Sequence, residues 1–393
     1  MLRVLTLASL YPDASRPNFG VFVERQTLGL AAHPGVDLRV VASLGLPPWP
    51  LSRVSHYAPL AALPERETWK GVETWRPRFT TLPGTRGRFH VAALVRRLTP
   101  LLAEIRRDFP FDVIDAEFFF PDGPAAVALG RHFGVPVSIK ARGADIHHWG
   151  TAPATAGRVA AAGRQADGLL AVSEAMKADM VALGLPGDRI RVHHTGVDLA
   201  CFAPADRAAG KAAFGVTGPL VVSLGALILR KGHDIVLRAV AALPGVSLLI
   251  AGEGPERAAL AAAIAALGVG DRVRLLGAVT HGDMPALLAA ADVMALASSS
   301  EGLANAWVEA LACGTPLVIT AAGGAAEVVR TAAAGRIAAR DADAFSAAIA
   351  DLLAAPPAPQ DTRQAALGFT WDANTAALYD HLAGLVSASS SSR

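Results

Sequence analysis

The chain has 393 residues, of which 52% are hydrophobic and 18% charged, with a net charge of +2 and two cysteines, Cys201 and Cys313. That length accommodates two domains of ordinary size, and the balance excludes a disulfide-stapled module and a strongly basic nucleic-acid binder. No run approaches the roughly 18 apolar residues of a membrane span, so we expect a cytoplasmic α/β protein.

In the first half, strands are predicted at 2–8, 37–42, 112–116, 135–141, 168–172 and 191–194, with helical stretches between them. The apolar N-terminus is interrupted by Tyr11, Pro12 and Asp13, which reads as a first strand and not a signal peptide. The loop after it runs through Arg16-Pro17-Asn18-Phe19 to Gly20, where a helix opens. A glycine there can bring backbone N–H groups close to a phosphate, although a plain βα turn explains the same residues. Residues 47–87, rich in Pro and Trp, read as an irregular excursion. From Arg53 to Arg107 there are eleven basic and four acidic residues, and 88–107 has helical spacing of its apolar positions. Two readings stay open for this basic helix: a peripheral contact with an anionic membrane, or an apolar face packed inward with solvated arginines. The strand at 135–141 ends in Arg142-Gly143-Ala144-Asp145. Arg142 cannot act as a base at neutral pH but can orient a phosphate or a sugar hydroxyl.

Proline and glycine punctuate residues 200–218, where a domain boundary is expected. We assign 1–203 to one domain, 204–369 to a second, and 370–393 to a C-terminal helix with a disordered tail from 387. Strands in the second half are predicted at 220–224, 247–251, 273–276, 293–297, 316–321 and 336–338. Strand–helix alternation of this kind builds parallel sheets from right-handed βαβ units, giving two doubly wound domains that face a central cleft. After the strand at 220–224, Gly225 leads to the adjacent cations Arg230 and Lys231, which can neutralise a diphosphate. Gly252-Glu253-Gly254 follows the next strand, but Pro255 and Arg257 break the dinucleotide-binding fingerprint, which argues against an NAD-dependent dehydrogenase. No phosphate loop of the G-x-x-x-x-G-K-[ST] kind is present.

The strand at 293–297 runs into Ser298-Ser299-Ser300-Glu301-Gly302-Leu303-Ala304-Asn305-Ala306-Trp307-Val308-Glu309. Helical pattern begins after Gly302, so Glu301 lies in the loop before a helix and Glu309 about two turns further along. Free backbone N–H groups at such a start favour an anion, and the two carboxylates can accept hydrogen bonds from sugar hydroxyls. The run continues through Gly314, Pro316, Gly323-Gly324 and Glu327. As a whole it resembles the donor-site signature of the retaining glycosyltransferases of family 4, which have the GT-B fold. Details such as Pro17-Asn18-Phe19-Gly20 and Arg142-Gly143-Ala144-Asp145 are most similar to members of the teichuronic-acid and exopolysaccharide type.

The resemblance implies a metal-independent, cofactor-free hexosyltransferase that takes a nucleotide diphosphate sugar as co-substrate and a glycan or lipid-linked acceptor, in cell-surface polysaccharide synthesis. It implies that Lys231 and Arg230 hold the diphosphate, that Glu301 with Gly302 and Leu303 positions the sugar, and that Asn305 lies at the anion-binding helix start. Glu309 would bind the ribose, Gly252 would border the nucleotide, and Gly20 would belong to a loop closing over the diphosphate. Two positions depart from the family pattern: Ala226 stands where an arginine is usual, and Arg142 where a histidine is usual. Those departures keep open a nucleotide-sugar-binding protein with little turnover, beside a GT-B enzyme of other chemistry such as an epimerase or a phosphorylase.

Overall fold

The computed structural model describes residues 1–54 and 57–391. The chain divides into two compact units: Met1–Thr195 together with the C-terminal helix, and Gly196–Thr370. The division thus precedes the expected 203.

Unit 1 is built on an eight-stranded sheet. In chain order its strands are β1 (Leu2–Leu7), β2 (Val36–Val41), β3 (Leu44–Leu46), β4 (Arg66–Trp69), β5 (Val72–Trp75), β6 (Arg78–Thr80), β7 (Val113–Ala116), β8 (Val137–Ala141), β9 (Gly168–Ala171) and β10 (Ile190–Val192). The main sheet has the order β10-β9-β8-β7-β1-β2-β5-β4, and β3 pairs separately with β6. All its pairings are parallel except the hairpin β4–β5. Its central strands are buried and mostly apolar because helices cover both faces, but β7 and β8 also carry the buried Asp115, Ser138 and Lys140.

The excursion expected at 47–87 is only partly irregular: it contains β4, β5 and β6 and a short helix at Ala58–Ala62, with loops on either side, and residues 55 and 56 lie outside the described residues. Trp69 pairs with Val72 across the two-residue loop Lys70–Gly71, whose φ values are +47° and +89°. That is the geometry of a tight hairpin turn matched to strand twist. Glu24 secures the hairpin from the neighbouring helix, accepting from the Trp69 indole at 2.5 Å and from Lys70 at 2.9 Å.

The helix His90–Asp108 buries Leu94, Leu98, Leu102 and Ile105, a stripe at helical spacing, against the helix Asp122–Phe133. Each such leucine contributes roughly 2 kcal/mol of burial. Its apolar face is thus used inside the unit; of its arginines, Arg96 and Arg107 are exposed, while Arg106 stacks over Phe111 and Phe133.

The C-terminal helix Trp371–Ser391 packs on the helix Val21–Ala32 through Leu378 and Leu382. It continues through Ser391, where a disordered tail was expected from 387. The hydroxyls of Ser387, Ser390 and Ser391 donate to carbonyls one turn back, which keeps polar serines compatible with the helix. Ser392 and Arg393 lie outside the described residues.

Unit 2 has a six-stranded parallel sheet of β11 (Leu220–Leu224), β12 (Ser247–Ala251), β13 (Val273–Gly277), β14 (Val293–Leu296), β15 (Leu317–Ile319) and β16 (Gly335–Ile337), in the order β13-β12-β11-β14-β15-β16. Its core joins Val221, Leu248, Ile250, Val293 and Val318 to Val236, Leu237, Phe345 and Ile349 of the covering helices. The strand order reverses between β11 and β14, so the loops leaving these two strands diverge and open a crevice at their carboxyl ends. Among the described residues no helix is long and apolar enough to cross a membrane.

Candidate functional site

The two loops at the switch point of unit 2 are stitched together. The backbone N–H of Ser299 donates to the Arg230 carbonyl at 2.8 Å, and Arg340 bridges the Ala297 and Leu229 carbonyls at 2.8 and 3.0 Å. Between them three predicted residues meet. The Lys231 ammonium donates to Glu301 Oε1 at 2.5 Å, Ser298 Oγ donates to the same oxygen at 2.7 Å, and the Arg230 guanidinium lies 3.6 Å from Glu301 Oε2. Arg230 also donates to the Ser300 carbonyl. The Glu301 side chain is 9% exposed, that of Lys231 15% and that of Arg230 42%. One carboxylate thus pre-orients two cations at the crevice without hiding Arg230 from solvent, an arrangement suited to a diphosphate.

Backbone freedom makes this packing feasible at two glycines. Gly252 has φ +150°, and a Cβ there would stand 1.9 Å from the Gly225 carbonyl oxygen. Gly323 has φ +51°, and its Cβ would meet the Glu301 carbonyl oxygen at 2.3 Å. The loop carrying Glu301 is also held by a 2.7 Å bond from the Gly324 N–H to the Gly302 carbonyl.

The helix after Glu301 spans Asn305–Ala312, so it begins at Asn305 and not directly after Gly302. Gly302 and Leu303 are buried in the preceding loop, where Ala304, with extended backbone, still accepts from the Trp307 N–H at 3.0 Å. Glu309 is half-buried on that helix, whose other face inserts Trp307, Val308 and Leu311 into the core. Beneath the crevice His233 is buried; its Nδ1 lies 2.8 Å from Ser223 Oγ, and burial pushes its pKa down to about 4. It is neutral at pH 7 and structural.

Two predicted residues belong to unit 1. Gly20, at φ +73°, sits at the start of the helix Val21–Ala32; a Cβ there would stand 2.6 Å from the Leu10 carbonyl oxygen, so the loop folds back on itself. Arg142 is turned inward, with its side chain 4% exposed. Its guanidinium pairs with the Glu117 carboxylate, donates to the Glu117 carbonyl at 2.9 Å and reaches Gln26 at 3.3 Å. Lys140 lies deeper, donating to Gln26 Oε1 at 2.6 Å, with its ammonium 2.6 Å from His193 Nδ1. Burial, with the Arg142 charge adding to it, holds the Lys140 pKa well below the usual lysine range, and burial beside Glu117 raises that of Asp115 well above the carboxylate range. Asp145, two residues past Gly143, accepts from the backbone N–H groups of Phe119, Arg142 and Gly143 and so fixes the strand end.

Ser298 and Gly323 lie within the run that carries the resemblance but were given no role there, and Arg340 and the Lys140 network were not singled out at all. An arginine outside any motif offers no local signal; the fold brings Arg340 to this crevice. Among the described residues, no group of three or more His, Cys, Asp or Glu side chains is placed to hold a metal ion.

Residues 24–200 match the family model described as Glycosyltransferase Family 4, and residues 206–368 the model described as Glycosyl transferases group 1. A D-inositol 3-phosphate glycosyltransferase of Mycobacterium avium (strain 104) is 40% identical over 204 residues, 48% of this chain and 48% of that protein. Its counterpart in Mycobacterium tuberculosis (strain ATCC 25177 / H37Ra) is 40% identical over 182 residues, 44% of this chain and 38% of that one. The chain spans about half the length of these curated relatives, or less. Among solved structures, sucrose-phosphate synthase from Thermosynechococcus elongatus superposes with a TM-score of 0.83 at 20% identity, covering 99% of this chain and 100% of that one. Anabaena HepE in complex with UDP-glucose gives 0.66 at 19% identity, covering 100% and 99%. At these identities the structures establish the two-domain α/β GT-B fold.

Proposed function

From a chain that carries a Glycosyltransferase Family 4 domain followed by a Glycosyl transferases group 1 domain in the GT-B fold, we propose a retaining hexosyltransferase that moves a hexose from a nucleotide diphosphate sugar to a glycan or lipid-linked acceptor in cell-surface polysaccharide synthesis. The observation that carries this reading is the convergence of Lys231, Arg230 and Glu301 at the switch point of unit 2. The diphosphate takes the two cations, exchanging the Lys231–Glu301 pair for stronger contacts to phosphate. As the sugar–phosphate bond breaks, negative charge grows on the leaving diphosphate, and the pre-oriented cations and the N–H groups near Asn305 stabilise it. The acceptor hydroxyl attacks from the face the diphosphate leaves, and a phosphate oxygen takes its proton. Glu301 then orients hexose hydroxyls and Glu309 the ribose. The two cations supply the charge a divalent metal would otherwise provide, so turnover should persist in chelator.

The acceptor class has a second reading: the relatives named D-inositol 3-phosphate glycosyltransferases favour a phosphorylated polyol.

The test incubates the full chain with UDP- and GDP-sugars labelled in the hexose. A transferase releases free hexose slowly without acceptor. Tight binding with no release would identify a binding protein, and conversion to another nucleotide sugar an epimerase.

A further inference from the structure

Unit 1 has a cavity of about 720 Å³ that none of the roles above uses. One wall is the segment leading from β6 into the helix His90–Asp108; the other is the chain following the carboxyl end of β8. The carboxyl side of strands is where open α/β sheets take their ligands, and the volume falls in the range of roughly 300–1,000 Å³ typical of small-molecule sites.

Its chemistry is one-sided. Arg86 and Arg88 line one wall and His148 the other, and among the described residues lining it none is acidic. Arg158 holds the basic wall in place, donating to the Arg88 carbonyl at 2.6 Å. Between these basic side chains lie two aromatic surfaces, Trp149 and Phe89, the latter 47% exposed. Trp149 is fixed from behind by Phe120, with ring centroids 4.9 Å apart.

The basic wall is also built at a conformational cost. Arg86 has φ +49°, in the left-handed region that non-glycine residues seldom adopt, between Gly84 at +77° and Gly87 at +83°. Gly87 sits against the aromatic floor, where a Cβ would come within 3.0 Å of both Phe120 and Trp149. Strain of this kind concentrates at ligand sites, because surrounding structure must hold it in place.

We propose that this cavity is the acceptor site and that the acceptor carries a phosphate, which Arg86 and Arg88 grip while a sugar or polyol ring lies against Trp149. Guanidinium pairs suit phosphate oxygens, and aromatic faces suit the C–H face of a ring. The inference rests on the transferase reading and deepens it by naming the acceptor's chemistry. A free sugar phosphate and a lipid-linked sugar diphosphate share that chemistry.

The test titrates the full chain by calorimetry with D-inositol 3-phosphate, glucose 6-phosphate and glucose linked through diphosphate to a short, water-soluble prenyl chain, with unphosphorylated inositol as comparison. UDP and GDP are titrated into the same samples. At least one phosphate-bearing probe should bind at least tenfold more tightly than inositol; which probe binds tells the free source from the lipid-linked one. The double variant Arg86→Gln/Arg88→Gln should lose tenfold or more of that affinity, and Arg86→Lys/Arg88→Lys should recover part of it. If every phosphate-bearing probe binds no better than inositol, or binds the glutamine variant as well as the wild type, the acceptor inference is overturned while UDP binding leaves the transferase reading intact. If the wild type binds no UDP or GDP, that reading falls and this inference with it.

Discussion

In unit 1 the charges near the switch between β1 and β7 are turned inward: Arg142 is locked to Glu117, and Lys140 is fully buried against Gln26 and His193. In unit 2 the charges at the switch between β11 and β14 sit at the crevice, where Glu301 holds Lys231 and Arg230 with Arg230 still open to solvent. Unit 1 thus has a fully paired, buried cluster beside its switch point, where unit 2 has a poised cation pair at its own. What differs is desolvation. A charge buried on all sides is held by its partners, since leaving them costs several kcal/mol, whereas a cation at a crevice can exchange one anion for another.

Removing one carboxylate from each cluster should separate the two most sharply. Glu117→Ala leaves Arg142 buried and unpaired and should cost about 3–5 kcal/mol. In a unit of this size that lowers the melting temperature on the order of 10 °C. Glu301→Gln keeps the shape and leaves both cations open to the crevice, so it should cost clearly less stability than Glu117→Ala while slowing turnover far more than it weakens nucleoside diphosphate binding. Equal melting shifts for the two variants would break the comparison.

Acid should test a feature that the units share. His381, whose Nε2 lies 3.1 Å from Ser138 Oγ in unit 1, and His233 in unit 2 are both pushed down to a pKa of about 4 by burial. Because the folded pKa lies below the ordinary value, the unfolded chain binds more protons between pH 6.5 and 4. Stability is therefore full above 6.5 and declines as pH falls, by on the order of 3 kcal/mol per histidine at most. Urea unfolding at pH 7 and pH 5 should show the loss, and His381→Gln should flatten it.

Glu309→Gln keeps shape but removes charge, and nucleotide affinity should fall by about 1–3 kcal/mol in a titration with UDP or GDP. Unchanged affinity would remove Glu309 from the donor site. The smallest effect concerns the basic helix of unit 1, whose apolar stripe is already buried. Any contact with an anionic bilayer is then electrostatic alone, so co-sedimentation with anionic vesicles should be weak, fade with salt and be lost in Arg96→Gln/Arg107→Gln. Equal pelleting with neutral vesicles would leave these arginines merely solvated.

The parallel strands were legible because buried β-strands write short, mostly apolar runs between helical stretches, and each of the twelve predicted segments overlaps a strand. The hairpin β4–β5 was obscured by prolines on both sides, although the alternation Thr68-Trp69-Lys70-Gly71-Val72-Glu73-Thr74-Trp75 carries its signal. In the site, the Lys231–Glu301 meeting follows from motifs at the ends of two strands that the fold makes neighbours. Sequence could not reveal that Arg142 points inward, because its partners Glu117 and Gln26 belong to other elements. Nor could it mark Arg340 or the Arg86 wall, which depend on tertiary approach and backbone strain.

The central claim, that unit 2 presents its cations to a diphosphate, is tested most directly by titrating uridine and UDP, and guanosine and GDP, into wild type and Lys231→Ala. The account predicts that the variant loses at least tenfold in affinity for the diphosphate whose base it prefers while the matching nucleoside binds almost as before. Equal weakening of nucleoside and diphosphate would assign Lys231 to folding or to base recognition and contradict the account.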